Sequence, residues 1–185
     1  LQGARDVRAG LTRWRHGPHQ AVTPRTLPVC RLLPEALSAL DDRGLASAIE
    51  AVLPHLHWIT YDAYPRADIG EAFADGHAFT TLVGEGAHRS AVDFDLGLFL
   101  IAPGTLYRDH HHAAPELYLP FNGPHQWRFL PDKAFHELPA GVPVWNEPWA
   151  PHATLTGSVP FLCLFAWTRD VSQPAKVIFA DGTEP

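Results

Sequence analysis

Cysteine is scarce in this chain of 185 residues: Cys30 and Cys163 are the only two, too few for a disulfide framework. Cys163 lies in an apolar run and reads as a small buried residue. Charge is also thin, at 18% of residues against 46% hydrophobic, which excludes a disordered polypeptide. Basic residues are outnumbered, with 14 Lys and Arg against 20 Asp and Glu. A formal charge of −6 argues against nucleic acid or an anionic membrane surface as partner. Long apolar runs are missing as well. The best of them, residues 159–167, contains Pro160, so no membrane span is expected. The N-terminus carries Arg5, Arg8, Arg13 and Arg15 without the apolar core of a signal peptide. A cytoplasmic protein is the expectation, and a signal trimmed ahead of residue 1 would be compatible with the same text.

What the chain does have is histidine, proline and aromatic rings: 12 His, 18 Pro, 6 Trp and 10 Phe. Its length suits one domain. The first thirty residues, basic and Pro-bearing, are expected to form an arm or lead-in. From Pro34 the text changes. Leu37, Leu40, Leu45, Ile49, Val52 and Leu53 recur at helical spacing. Pro34 suits a first turn, and Gly44 is the expected division between two helices. Beyond Tyr64 the helical signal fades. Short β-type runs follow at residues 79–83, 94–100, 126–130, 134–138, 142–145, 152–156 and 161–167, separated by Pro and Gly. Even spacing of short strands predicts a sandwich or barrel. The expected organisation is a helical extension over residues 1–64 packed on a β-barrel over residues 65–185.

The stretch that carries chemistry is Gly104-Thr-Leu-Tyr-Arg-Asp-His110-His111-His112-Ala-Ala-Pro-Glu116-Leu-Tyr118-Leu-Pro-Phe-Asn-Gly123. Strand alternation places His110, His112, Glu116 and Tyr118 on one face and His111 on the other. A straight strand from His110 to Tyr118 would be roughly 26 Å long, too far for ligands that must sit about 2 Å from one ion. The segment therefore has to bend, and Ala113-Ala114-Pro115 is where it can. A helix through this region would carry Pro115 in its interior, at a cost of about 3 kcal/mol.

This text resembles the first motif of the cupin superfamily, G-x5-H-x-H-x3-E-x6-G, at every fixed position: Gly104, His110, His112, Glu116 and Gly123. The second motif is looser, with Gly141, Pro148 and His152 in place, and Thr156 where many cupins have Asn. The resemblance implies a mainly β fold, a cupin double-stranded β-helix or jelly-roll barrel, with a helical N-terminal extension. It also implies one divalent metal held by His110, His112, Glu116 and His152, with His125 and His136 as competitors for the fourth place. Three imidazoles and a carboxylate suit Zn, Fe, Mn, Co or Ni.

The pattern Tyr-x2-His-x-His-x3-Glu-x-Tyr, behind a helical extension, is similar to the cupin-type dimethylsulfoniopropionate lyases, most of all the Q-type. That resemblance implies β-elimination of a small zwitterionic sulfonium carboxylate to dimethyl sulfide and acrylate. Tyr118 would be the base and Tyr107 a second active-site tyrosine. A phenol near a cation ionises more readily, which suits Tyr118 to remove the α-proton. Aromatic faces hold onium groups, and Trp149 and Tyr107, with Trp127 and Trp167 behind them, are the candidates. Two other readings fit the same ligands: an Fe(II) cupin dioxygenase, and a non-catalytic small-molecule-binding cupin. The expected assembly is a monomer or homodimer.

Overall fold

The short Pro- and Gly-punctuated runs become eleven strands among the residues described by the computed structural model, 2–179 and 183. Five α-helices precede them: α1 (Gln2–Trp14), α2 (Leu33–Ser38), α3 (Arg43–Val52), α4 (Arg66–Ile69) and α5 (Glu71–Gly76). The strands are β1 (His77–Gly84), β2 (Arg89–Ser90), β3 (Asp95–Ile101), β4 (Leu106–His111), β5 (Glu116–Pro120) and β6 (His125–Phe129). They continue as β7 (His136–Leu138), β8 (Val144–Asn146), β9 (His152–Leu155), β10 (Phe161–Trp167) and β11 (Lys176–Val177). One sheet runs β2-β1-β3-β10-β5-β8 and the other β11-β4-β9-β6-β7. Strand neighbours are antiparallel except the short β1–β2 pair. None of the described helices is long and apolar enough to cross a membrane.

Strand β3 shows how the layers form. Phe99 and Ile101 enter the core between the sheets with Tyr107, Tyr118 and Trp127. Leu98 and Leu100 point the other way, into a second core with Ala36, Leu37, Ala46 and Ile49 of α2 and α3. Both faces are covered, so β3 loses the polar alternation of a half-exposed strand beyond Gly97. Leu100 is fully buried in that outer core. Leu100→Ala is expected to cost about 2–5 kcal/mol, measured by chemical denaturation.

The first half of the expected N-terminal arm is instead helix α1. Gly3, Val7 and Gly10 fall on one buried face, while Arg5, Arg8, Arg13 and Arg15 are exposed. The two glycines let the helix backbone approach the rings of Trp145 and Phe94, with no room for a Cβ at either position. Close approach explains a residue that otherwise costs a helix about 1 kcal/mol. The division between α2 and α3 also differs from expectation. Asp42 accepts a hydrogen bond from Leu45 N–H at 2.9 Å and caps α3, which leaves Gly44 inside its first turn. Pro34 does sit in the first turn of α2. Helical structure continues past Tyr64 to Gly76, because Pro65 starts a new turn and Gly70, at φ 91°, separates α4 from α5. A residue with a Cβ would be strained there.

Candidate metal centre

The bend expected between His112 and Glu116 is where the chain crosses from one sheet to the other. His110 ends its pairing on β4 directly opposite His152 of β9. A register shift between Tyr107 and His110 re-aims the end of that strand. Ala113 and Ala114 are buried in the crossing, where larger side chains would not fit. Glu116 then opens β5 in the facing sheet, opposite Trp167 of β10 and Asn146 of β8.

His110, His112 and His152 come together with ligand atoms within 4.8 Å of one another, all three buried. Each Nδ1 lies against a backbone carbonyl: Arg108 O at 2.8 Å, Ala114 O at 2.7 Å and Ala150 O at 2.9 Å, respectively. A carbonyl only accepts, so each Nδ1 carries the proton and each Nε2 offers a lone pair. The Nε2 atoms of His110 and His152 are buried with no hydrogen-bond partner. Glu116 Oε2 lies 3.2 Å from His112 Nε2 and 3.5 Å from His152 Nε2. Asn146 Nδ2–H donates to that oxygen at 3.0 Å, and Trp167 Nε1–H donates to Oε1 at 2.7 Å. Burial, then His152 and His112, hold His110 well below its usual pKa, so its imidazole is neutral. Lone pairs facing a carboxylate repel one another unless a cation lies among them, and this donor set fits a divalent transition metal.

The two competing histidines lie elsewhere. His125 Nδ1 accepts from Gly157 N–H at 3.0 Å, its Nε2 faces Asn122 Oδ1 at 3.2 Å, and burial pushes its pKa down to about 4. His136 is exposed beside Asp132.

A cavity of about 180 Å³ opens beside the histidines, and Glu116, Tyr107, Tyr118 and Trp167 line it. The Tyr107 ring stacks on His110 at 3.8 Å and on Phe73 at 4.1 Å, and its hydroxyl meets that of Tyr64 at 2.8 Å. Tyr118 lies between Phe99 and Trp127. Burial foremost, then the Glu116 charge, pushes the Tyr118 phenol well above its usual value. Tyr107 is likewise raised, by burial and then by Tyr118.

The four tryptophan and tyrosine candidates for an onium group separate in the structure. Tyr107 and Trp167 face the cavity. Trp127 is fully buried behind Tyr118 and Phe161, and does not line it. Trp149 is a correction: it is 45% exposed, packs its ring on His111, and lies away from the cavity. Its neighbour His111 alternates to the outer face, and Trp149 follows it outward. The sequence reading missed Tyr61, Phe73, Phe79 and Asp95, all of which line the cavity. They come from the segment ahead of α4, α5, β1 and β3, far from the histidine motif, and nothing in local periodicity marks them.

A model of the dimethylsulfoniopropionate lyase family matches residues 6–163. The dimethylsulfoniopropionate lyase DddQ of Ruegeria pomeroyi is 26% identical over 171 residues, covering 88% of this chain and 81% of that protein. The crystal structure of that lyase superposes with a TM-score of 0.74 at 22% identity, over 97% of this chain and 98% of that one. A cupin 2 conserved barrel domain protein from Rhodopseudomonas palustris gives a TM-score of 0.51 at 15% identity, over 69% of this chain and 80% of that one. The last two likenesses show the cupin fold.

Proposed function

This chain belongs to the dimethylsulfoniopropionate lyase family and is a carbon–sulfur lyase, and from that premise we propose a metal-assisted β-elimination of dimethylsulfoniopropionate with Tyr118 as base. The observation that carries the metal part is the pair of buried, partnerless Nε2 atoms of His110 and His152 beside the Glu116 carboxylate. His110, His112, His152 and Glu116 would hold the ion.

A divalent ion there supplies positive charge that favours the Tyr118 phenolate and stabilises the substrate carboxylate as its α-carbon loses a proton. The chain's own groups do the rest. Tyr118 shares the cavity with Glu116, and its oxygen takes the α-proton. The electron pair of that C–H bond becomes the second bond of acrylate as the Cβ–S bond breaks. The sulfur keeps the electrons of that bond and departs as neutral dimethyl sulfide, so no acid is needed at the leaving group. Tyr107, held by the His110 and Phe73 rings and by the Tyr64 hydroxyl, orients the substrate. The aromatic walls present ring faces to the sulfonium.

The test is headspace gas chromatography on metal-loaded protein supplied with dimethylsulfoniopropionate, with and without oxygen. Equal amounts of dimethyl sulfide and acrylate, at the same rate under both atmospheres, are expected. A product that forms only with oxygen would replace this reading by an Fe(II) dioxygenase. Tight binding without any product would replace it by a binding protein.

A further inference from the structure

Across the cavity from Glu116 stands a carboxylate that the reaction scheme does not use. Asp95 opens β3 on the same face as Phe99 and Ile101, the face turned into the barrel, and it lines the cavity. Strand register puts it directly opposite Trp167 on β10, and Trp167 directly opposite Glu116 on β5. Neighbouring strands lie about 4.8 Å apart, so the Asp95 and Glu116 backbones are roughly 10 Å apart across the row. Trp167 sits between them, its indole held by the bond to Glu116 Oε1 at 2.7 Å.

Among the described residues, no positive charge acts on Asp95. No ion pair among the described residues engages it, and the charged groups that act on it are both acids, Glu85 and Asp93. Its polar partner is the Glu85 backbone, and its side chain occupies the space that a Cβ on Gly84 would take. Phe79 and Phe165, in edge contact at 6.0 Å, and Trp167 supply ring surface in the same cavity.

We propose that Asp95 is the group that selects the cationic end of the substrate, an onium carried one short chain away from a carboxylate. This rests on the lyase reading above. The cavity then has a polarity: Glu116, beside the histidine cluster that would hold a metal, at one end, Asp95 at the other, and an indole face between them. A zwitterion fits such a cavity in one direction only, with its carboxylate toward the histidines and its onium over Trp167, facing Asp95. The burial of Asp95 and its two acidic neighbours push its carboxyl up to about 6, a cost that a bound cation offsets. Glu85 and Asp93 reinforce the negative field without lining the cavity. A bare acidic cluster would not show this selectivity; here the carboxylate, the ring faces and the ligand end share one cavity.

Asp95→Asn keeps an acceptor for the Glu85 N–H and removes only the charge. Its KM for dimethylsulfoniopropionate is expected to rise roughly 10- to 100-fold, the scale of one unit charge a few ångström away at intermediate dielectric, with a smaller change in kcat. The decisive arm is binding, by calorimetry on the full metal-loaded chain. β-Alanine betaine carries a permanent cation, and isocaproate is the uncharged isostere of the sulfonium acid. The parent is expected to prefer the betaine, and Asp95→Asn to lose that preference while melting at the parent's temperature. If Asp95→Asn does not fold, Asp95→Ser takes its place in both arms. An undiminished preference for the betaine in the folded variant would overturn the proposal. Loss of the preference in a chain that forms no dimethyl sulfide would sink the lyase reading and leave charge selection by Asp95 standing.

Discussion

Tyr118→Phe is expected to lower kcat roughly 100- to 10,000-fold, the range for removal of a positioned general base, with metal content still near one ion per chain. The substitution deletes one oxygen and keeps the ring that packs against Phe99, Trp127 and Phe161. His110, His112, His152 and Glu116 are untouched, and so are the bonds from Asn146 and Trp167 that hold the carboxylate. Thermal stability is therefore expected to stay near that of the parent, so unfolding does not explain the lost rate. Tyr107→Phe should lose less, because Tyr107 acts by placing substrate. Comparable turnover in Tyr118→Phe and the parent would remove Tyr118 from the base role. Loss of metal along with turnover would make it chiefly a ligand.

His112→Ala is expected to abolish both metal and turnover. His112 is the proposed ligand whose Nε2 lies 3.2 Å from the Glu116 carboxylate, and its Nδ1–H is fixed on Ala114 O. Removing it takes one donor out of a set of four and leaves a buried carboxylate with less compensation. Changes to residues that only orient ligands already cost 10- to 100-fold in affinity, so loss of a ligand should exceed about 100-fold. Elemental analysis after dialysis against dilute metal would read it, with His136→Ala as the control, since His136 is exposed beside Asp132. Chelation of the parent should give the same inactive state, reversed by a divalent transition metal. One ion per chain at unchanged affinity in His112→Ala would overturn the ligand assignment.

The motif text made the centre legible because its spacing is a statement about strand alternation and one forced bend. His110, His112 and Glu116 lie within seven residues, and Ala113-Ala114-Pro115 admits only a crossing between strands. His152 was legible through the second motif even with its altered spacing, since register on β4 and β9 places it opposite His110. The tryptophans were not. Distance in sequence from the histidines says nothing about which side of a loop faces inward, and Trp149 leaves with His111 while Trp167 enters on β10. The N-terminal arm was misread because α1 hides its apolar face in two glycines and a valine, which carry little hydrophobic signal. Their burial depends on the Trp145 and Phe94 rings that come to meet them.

By itself the sequence determined the mainly β class, the helical region from Pro34, the bend at Pro115 and the imidazole–carboxylate chemistry. Each follows from local periodicity, from proline geometry or from residue types at fixed short spacing. Tertiary structure alone decided the rest: which rings wall the cavity, and that Asp95 stands across Trp167 from Glu116. Those are facts of strand register between β3, β10 and β5, joined by connections long enough that no local pattern encodes who faces whom.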